Sequence, residues 1–151
     1  MKNKNQNLEG TSSSRFYFFS NNFNISLKET LTMQFICYSN CSTCSGLEKI
    51  LNEKGLSFLK RDIKEENPSA DEMKKWHEKS GLPLKKFFNT SGMVYRELKL
   101  KDKLNDMSEE EQYALLATDG MLVKRPILIT DKDEVLVGPL VKEYVAQLKT
   151  N

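Results

Sequence analysis

The chain has 151 residues, of which 29% are charged, and its 23 Lys and Arg residues nearly balance 21 Asp and Glu residues. This length corresponds to one domain, and a formal charge of +2 argues against a dedicated nucleic-acid-binding protein, which usually carries a clear basic excess. A mean hydropathy of −0.56 and the lack of a long uncharged apolar run exclude a transmembrane helix, so we expect neither direct nucleic-acid binding nor membrane binding.

Residues 1–32 differ in composition from the rest of the chain. They are rich in Asn, Ser, Lys and Thr, and an aromatic cluster at 16–19 belongs to no sustained strand or helix pattern. A secretory signal would need about 7–15 continuous apolar residues, which this segment lacks. We therefore expect a disordered leader or a non-native start over 1–32, a folded domain over 33–148 and a cytoplasmic location. The alternative is an arm that packs on the domain through its aromatic residues.

After the leader, the sequence predicts a strand–helix–strand unit. Met33–Tyr38 is a short apolar run with aromatic content, which is typical of a buried strand. Apolar residues at helical spacing predict a helix from about Cys41 to Asn52, with Gly55 at its C-terminal end. Ser57–Asp62 then predicts a second strand, so the order indicates a βαβ unit.

A helical block follows this unit. Capping boxes at 69–72 and 108–111, each a serine with a glutamate three positions later, predict two helix starts. The first helix is expected to reach about Ser80, and the second to end near Asp119. Between them, the sequence predicts a short helix over Leu84–Phe88 and a loop over 89–92.

The end of the chain returns to strands. Strand character over 122–131 centres on Ile127–Ile129, a turn follows at 131–133, and Val135–Val137 predicts another strand. A closing amphipathic helix is expected over about Val141–Leu148.

The clearest chemical motif is the C-x-x-C formed by Cys41, Ser42, Thr43 and Cys44. It lies where the first strand meets the first helix, and a helix N-terminus stabilises a thiolate through its unpaired N–H groups and dipole. Cys41 is therefore predicted to be the attacking thiol, and Cys44, one turn further along, the resolving thiol. The alternative is a pair of small residues that pack the start of the helix.

Metal sites are poorly supported by the remaining cysteine and the single histidine. Cys37, Cys41 and Cys44 form a C-x-x-x-C-x-x-C spacing, which holds an iron–sulfur cluster in some enzymes. Those enzymes need a much larger domain than this chain can form. Cys37 would also lie inside the first strand rather than in the loop. No pattern brings His77 near the cysteines for zinc, so it is expected to be a solvated surface residue. We expect no metal and no cofactor, with Cys37 as a core residue or a third redox thiol.

Arg125 and Pro126 directly precede the Ile-rich strand. A proline can simply start such a strand, because it cannot donate a hydrogen bond within a sheet. The local pattern by itself does not predict a cis peptide bond here, since cis is the minor form before proline.

These motifs resemble the arsenate reductase-like (ArsC/Spx/YffB/MgsR) family of the thioredoxin superfamily. The similarity extends over about residues 33–148, and the segments 85–92, 95–98 and 119–122 resemble bacterial members of that family most. The resemblance implies an α/β thioredoxin-like fold, in which a small mixed sheet is flanked by helices and carries an inserted helical subdomain. It also implies that Pro126 is cis beside the redox motif. We assign the following residues to substrate binding: Asn40, Ser42, Thr43, Arg125 and Pro126.

The sequence departs from the pattern of the glutathione-coupled arsenate reductases. Those enzymes use one catalytic cysteine and three arginines near it, whereas only Arg125 aligns here and the other two positions are Asn89 and Gly138. A further family arginine corresponds to Ser45. Since an arsenate dianion needs several charge-assisted hydrogen bonds, we expect the protein to reduce arsenate poorly or not at all. Three lysines could compensate if the fold brings them near the nucleophile: Lys85, Lys86 and Lys124.

The favoured function is therefore a thiol–disulfide oxidoreductase acting on a thiol or disulfide substrate. The resemblance implies glutathione, glutaredoxin or thioredoxin as candidate partners. Two alternatives stay open. One is an arsenate reductase proper, and the other is an Spx-like redox-responsive transcription regulator that binds RNA polymerase and uses the C-x-x-C as a switch.

Overall fold

The computed structural model describes residues 32–149, and the predicted leader, apart from Thr32, lies outside these residues. The described chain forms a mixed four-stranded sheet with the order β2-β1-β3-β4. Its strands are β1 (Met33–Cys37), β2 (Phe58–Asp62), β3 (Ile127–Ile129) and β4 (Val135–Val137). β1 pairs in parallel with β2 and antiparallel with β3, which pairs antiparallel with β4. The predicted strand–helix–strand unit is confirmed.

Helices cover both faces of this sheet. The α-helices of the described chain are α1 (Ser42–Glu53), α2 (Ala70–Ser80), α3 (Met93–Glu97), α4 (Leu100–Lys103), α5 (Glu109–Leu116) and α6 (Pro139–Gln147). Short 3-10 segments lie at Leu84–Phe87, Leu104–Asp106 and Gly120–Leu122. Both predicted capping boxes are present, since Ser69 and Ser108 each accept a hydrogen bond from the backbone N–H three residues on. Within residues 32–149, no helix is long and apolar enough to cross a membrane.

Two predicted helix ends were wrong. α5 ends at Leu116 rather than near Asp119, because the Asp119 side chain accepts a hydrogen bond from the Met121 N–H at 2.8 Å and starts a separate 3-10 segment. α6 begins at Pro139, two residues earlier than expected, since proline suits the first helical position, where its missing N–H costs nothing.

The alternation of side chains along β1 divides the core into two layers. Phe35 and Cys37 pack with α1 and α6 on one face of the sheet, whereas Ile36 packs with the helical block on the other. All three are at most 1% exposed. β1 therefore lies between the two core layers, and its carboxyl end leads through a turn into α1.

His77 is not the solvated surface residue that the sequence predicted. It is half-buried between α2 and α5, with its Nδ1 atom 2.7 Å from the Tyr113 hydroxyl. Its ring centroid is 5.9 Å from that of Phe87. The histidine therefore belongs to the packing of the helical block rather than to a site near the cysteines.

Candidate active site

The turn between β1 and α1 presents Cys41 at the start of the helix. Cys41 is the N-cap residue, with φ −97° and ψ 118°, and its side chain is half-exposed. Its backbone N–H donates to the Tyr38 carbonyl at 3.0 Å, and its own carbonyl accepts from the Ser45 N–H at 3.0 Å. The turn is thus closed on both sides and holds Cys41 at the N-terminus of α1, where the first N–H groups have no partner within the helix.

Cys41 and Cys44 have opposite electrostatic environments. Burial alone would raise the pKa of the Cys41 thiol, but the backbone N–H and the thiol of Cys44 outweigh it and lower that pKa. The Thr43 N–H and the Arg125 guanidinium lower the pKa of Cys41 further. Cys44 is 1% exposed, and burial is the main reason that its pKa rises to about 12. A thiolate is therefore favoured at Cys41 and a neutral thiol at Cys44.

Cys37 lies in β1 under this turn. It is 1% exposed, and burial raises its pKa to about 11. The structure thus places it in the core, although it is near enough to the other two cysteines for their charges to interact. Among residues 32–149, no group of three or more His, Cys, Asp or Glu side chains is arranged to hold a metal ion.

Asp62, at the end of β2, holds the turn in place, and sequence reasoning missed it. Its carboxylate accepts hydrogen bonds from the Ser39 hydroxyl and from the Ser39 N–H, the latter at 3.0 Å. It also accepts from the N–H groups of Lys64 at 2.8 Å and Glu65 at 3.3 Å. The bond from the Ser39 hydroxyl is the largest reason that the pKa of Asp62 falls to about 2. A predicted strand that ends in aspartate was the available signal.

A groove of about 380 Å³ opens beside Cys41, and we call it the Cys41 groove. Of the predicted site residues, Cys41, Thr43, Arg125 and Pro126 line it. Ser42 instead lines a neighbouring depression between α1 and α6. Asn40 is exposed outside the groove, where its amide donates to the Tyr38 hydroxyl at 3.4 Å.

Arg125 is held over the groove by its own surroundings. Its guanidinium carbon lies 5.2 Å from the centroid of the Tyr38 ring, and Nη1 is 3.5 Å from the carbonyls of Met121 and Val123. The peptide bond between Arg125 and Pro126 is cis, as the family resemblance implied. The positive charge thus lies where it can act on Cys41.

Two lysines join Arg125 in the Cys41 groove. An isolated antiparallel β-bridge joins Phe88 and Val123. Beside it, the Lys124 N–H donates a hydrogen bond to the Phe87 carbonyl at 2.7 Å, and these contacts bring Lys124 to the groove. Lys142, on the first turns of α6, was missed from the sequence because its approach to Cys41 depends on the packing of α6. Lys85 and Lys86 do not line this groove.

The positions expected to carry arginines have other roles. Asn89 lines the Cys41 groove. Gly138 has φ 59°, and a Cβ atom there would lie 3.2 Å from Cε of Lys124, so an arginine would be strained. Ser45 is exposed on α1, with its hydroxyl donating to the Cys41 carbonyl at 3.1 Å. Among the described residues of this groove, Arg125 is therefore the one cation that matches the arginine pattern, and the other two, Lys124 and Lys142, come from positions outside it.

Comparisons with known proteins agree with this architecture. The ArsC family model matches residues 19–146. The chain is 55% identical over 108 residues to the uncharacterized protein YusI of Bacillus subtilis (strain 168). The matched region covers 72% of this chain and 91% of YusI.

Two solved structures have the same fold. The crystal structure of an ArsC family related protein from Bacteroides fragilis is 50% identical, with a TM-score of 0.70, and the match covers 78% of this chain and 99% of that chain. The crystal structure of a possible arsenate reductase from Streptococcus mutans UA159 is 44% identical, with a TM-score of 0.67. This match covers 72% of this chain and 91% of that chain. The predicted mixed sheet flanked by helices is confirmed.

Proposed function

This chain belongs to the ArsC family, and on that premise we propose that it is a thiol–disulfide oxidoreductase with Cys41 as the nucleophile and Cys44 as the resolving thiol. One observation carries the proposal. The half-exposed Cys41 has a lowered pKa, whereas Cys44, one turn along α1, is buried and has a pKa raised to about 12. Such a pair separates the attacking role from the resolving role.

In the first step, the Cys41 thiolate attacks one sulfur of a substrate disulfide. A Cys41–substrate mixed disulfide forms, the substrate S–S bond breaks, and the other substrate sulfur leaves as a thiolate that takes up a proton. Thr43 and Pro126 shape the wall against which the substrate lies, and Arg125 lies beside the reacting sulfur. The substrate disulfide gains the two electrons that the protein will lose.

In the second step, Cys44 loses its proton and attacks the Cys41 sulfur. This bond closes the Cys41–Cys44 disulfide and releases the second substrate thiol. After burial, the hydrogen bond and the negative charge of Cys41 are further causes of the raised pKa of Cys44, and the mixed disulfide removes these two. Two protein thiols have then been oxidised and one substrate disulfide reduced to two thiols.

An external thiol must reopen the Cys41–Cys44 disulfide after each turnover. Glutathione, glutaredoxin and thioredoxin are the candidate donors within this proposal. We place the cycle in the cytoplasm, where such donors keep thiols reduced.

The test is turnover of the purified protein with hydroxyethyl disulfide and each donor. We expect Cys41→Ser to abolish turnover, and Cys44→Ser to accumulate a mixed disulfide on Cys41 that mass spectrometry detects. Cys37→Ala is the matched control and should still form the Cys41–Cys44 disulfide. Turnover by Cys41→Ser, or an adduct on Cys37, would contradict the proposal.

Arsenate reduction is a second candidate, and the cations of the Cys41 groove favour it. The prediction of poor arsenate reduction depended on Arg125 being the one aligned arginine. The groove, however, also contains Lys124 and Lys142, whose positive charges can bind an oxyanion. Each charge-assisted bond to an oxyanion can contribute about 1.5–3 kcal/mol. Arsenate turnover at about 1–10 per second, with a KM that rises in Lys142→Ala, would support this candidate.

The regulator alternative predicts a different property of the same protein. It requires binding to RNA polymerase that changes when Cys41 and Cys44 are oxidised. A pull-down against polymerase, with and without oxidant, separates this alternative from both enzymatic candidates.

A further inference from the structure

A second cleft, larger than the Cys41 groove, lies between the 3-10 segment at 84–87 and the start of α6. Its volume is about 750 Å³. Apolar side chains form most of its walls, among them Leu82, Phe88, Val137 and Leu140. We call it the docking cleft. Its size falls within the range of ligand-binding pockets, of about 300–1,000 Å³.

The charged groups at the docking cleft are all positive. Lys85, Lys86 and Lys124 line it, and no Asp or Glu side chain does. None of the three lysines forms an ion pair with another described residue, unlike the paired Lys74 and Lys79 on α2. An apolar floor beneath unpaired lysines is complementary to an occupant that carries both apolar groups and carboxylates.

The docking cleft adjoins the Cys41 groove. Lys124 and Pro139 line both, so they form the border across which one extended molecule can pass. Pro139 is exposed at this border. A substrate whose sulfur lies at Cys41 can therefore extend over Pro139 and place its neighbouring groups in the docking cleft.

We propose that the docking cleft binds the polypeptide that flanks the reactive cysteine of a protein disulfide substrate, and that this segment is apolar and acidic. The proposal rests on the proposed function and adds its substrate class. An extended peptide fits better than a small amphiphilic anion, because the docking cleft adjoins the Cys41 groove and one extended molecule can occupy both. The apolar walls hold the side chains, and the lysines select the carboxylates.

The first test measures binding without chemistry. The probe is a fluorescein-labelled synthetic peptide in which leucines and glutamates flank a serine that replaces the reactive cysteine. We expect saturable binding to the full chain by fluorescence anisotropy. Binding should weaken in a matched peptide with glutamine for glutamate, and also when ionic strength rises from about 0.05 M to about 0.5 M.

The second test uses matched charge reversals. Lys85→Glu combined with Lys86→Glu should weaken binding of the acidic peptide about tenfold. The control is Lys101→Glu combined with Lys103→Glu, which reverses two exposed lysines on α4 away from the cleft and should leave binding unchanged. Circular dichroism of both variants verifies that they are folded.

The outcomes distinguish this proposal from the proposed function. If hydroxyethyl disulfide is reduced but the acidic and glutamine peptides bind equally, the docking proposal is wrong and the oxidoreductase stands. Binding of sodium laurate without binding of the peptide would assign the cleft to a small amphiphile and also overturn the proposal. A third outcome is that the peptide does not bind, but the wild type self-associates and the Lys85→Glu and Lys86→Glu double variant does not. This outcome would assign the docking cleft to a second copy of the chain and would also overturn the proposal.

Discussion

At the scale of single residues, hydrogen bonds and the charge of Arg125 lower the pKa of Cys41, whereas burial raises the pKa of Cys44. Arg125 is one of the groups that lower the pKa of Cys41, after the N–H and thiol of Cys44 and the N–H of Thr43. A lowered pKa means that the thiolate forms at a lower pH than in a free cysteine. Reaction with iodoacetamide should therefore rise with pH at a midpoint below the ordinary value of 9.0.

Arg125→Gln should move this midpoint upward, because it removes a positive charge that favours the thiolate. Alkylation of Cys41 at neutral pH should become slower, and the pH profile measured by mass mapping should shift to higher pH. Arg96→Gln is the control, since Arg96 is exposed on α3 and lies outside the Cys41 groove. Equal midpoints in the wild type and Arg125→Gln would show that Arg125 does not act on Cys41.

Asp62 is expected to stabilise the fold in a pH-dependent way. Its pKa is about 2 in the folded protein against an ordinary value of 3.8, so its contribution is present above about pH 4 and is lost as the pH falls through about 2. Asp62→Asn should lower the free energy of unfolding at neutral pH, and the difference from wild type should shrink over that window. Urea denaturation measures it at each pH, with the exposed Asp106→Asn as the matched control.

At the scale of elements, the connection from α5 to β3 lies directly against the chain that leaves β2. Gly120 is buried there, and a Cβ atom at this position would lie 1.9 Å from the Ile63 carbonyl oxygen. Such a distance is far below van der Waals contact, so one of the two backbone segments would have to move. The segment that contains Gly120 leads to Arg125, and the segment that contains Ile63 follows Asp62. Their close approach therefore positions Arg125 and Asp62 relative to each other.

Gly120→Ala should therefore destabilise the protein by about 3 kcal/mol or more in urea denaturation. Gly46→Ala is the matched control, because Gly46 is exposed on α1 and a Cβ atom there meets nothing within 4 Å. The control should instead raise the free energy of unfolding by about 0.5–1 kcal/mol, since alanine favours a helix. Equal effects of the two substitutions would contradict the close packing at Gly120.

At the scale of the whole molecule, a small net charge conceals an uneven distribution. The chain carries a formal charge of +2, yet three cations line the Cys41 groove without an Asp or Glu side chain among the lining residues: Lys124, Arg125 and Lys142. Walls of one sign raise the local concentration of oppositely charged substrates. The groove should therefore favour anionic disulfides over neutral ones.

The rate constant kcat/KM for glutathione disulfide, which is anionic, should fall about fivefold when ionic strength rises from about 0.05 M to about 0.5 M. Hydroxyethyl disulfide, which is neutral, should show almost no change. Lys142→Ala should flatten the salt dependence for glutathione disulfide. An equal response of both substrates to salt would rule out steering by the groove.

Features that arise from short-range interactions could be predicted from the amino-acid sequence alone. The capping boxes at Ser69 and Ser108, the strands at β1 and β4 and the C-x-x-C at the start of α1 were all predicted, because each depends on residues a few positions apart. The resemblance to the ArsC family added the mixed sheet and the cis bond at Pro126. These predictions depend on local hydrogen bonding, on hydrophobic periodicity or on a recognised motif.

The surroundings of Cys41, in contrast, depend on how distant elements pack together. Lys142 reaches the groove because α6 packs beside α1, Asp62 holds the turn because β2 pairs with β1, and His77 is half-buried because α2 packs on α5. These contacts join residues far apart in the chain, and no local pattern encodes such a distance. The charge and the shape of the site are therefore properties of packed elements, whereas its nucleophile is a property of the sequence.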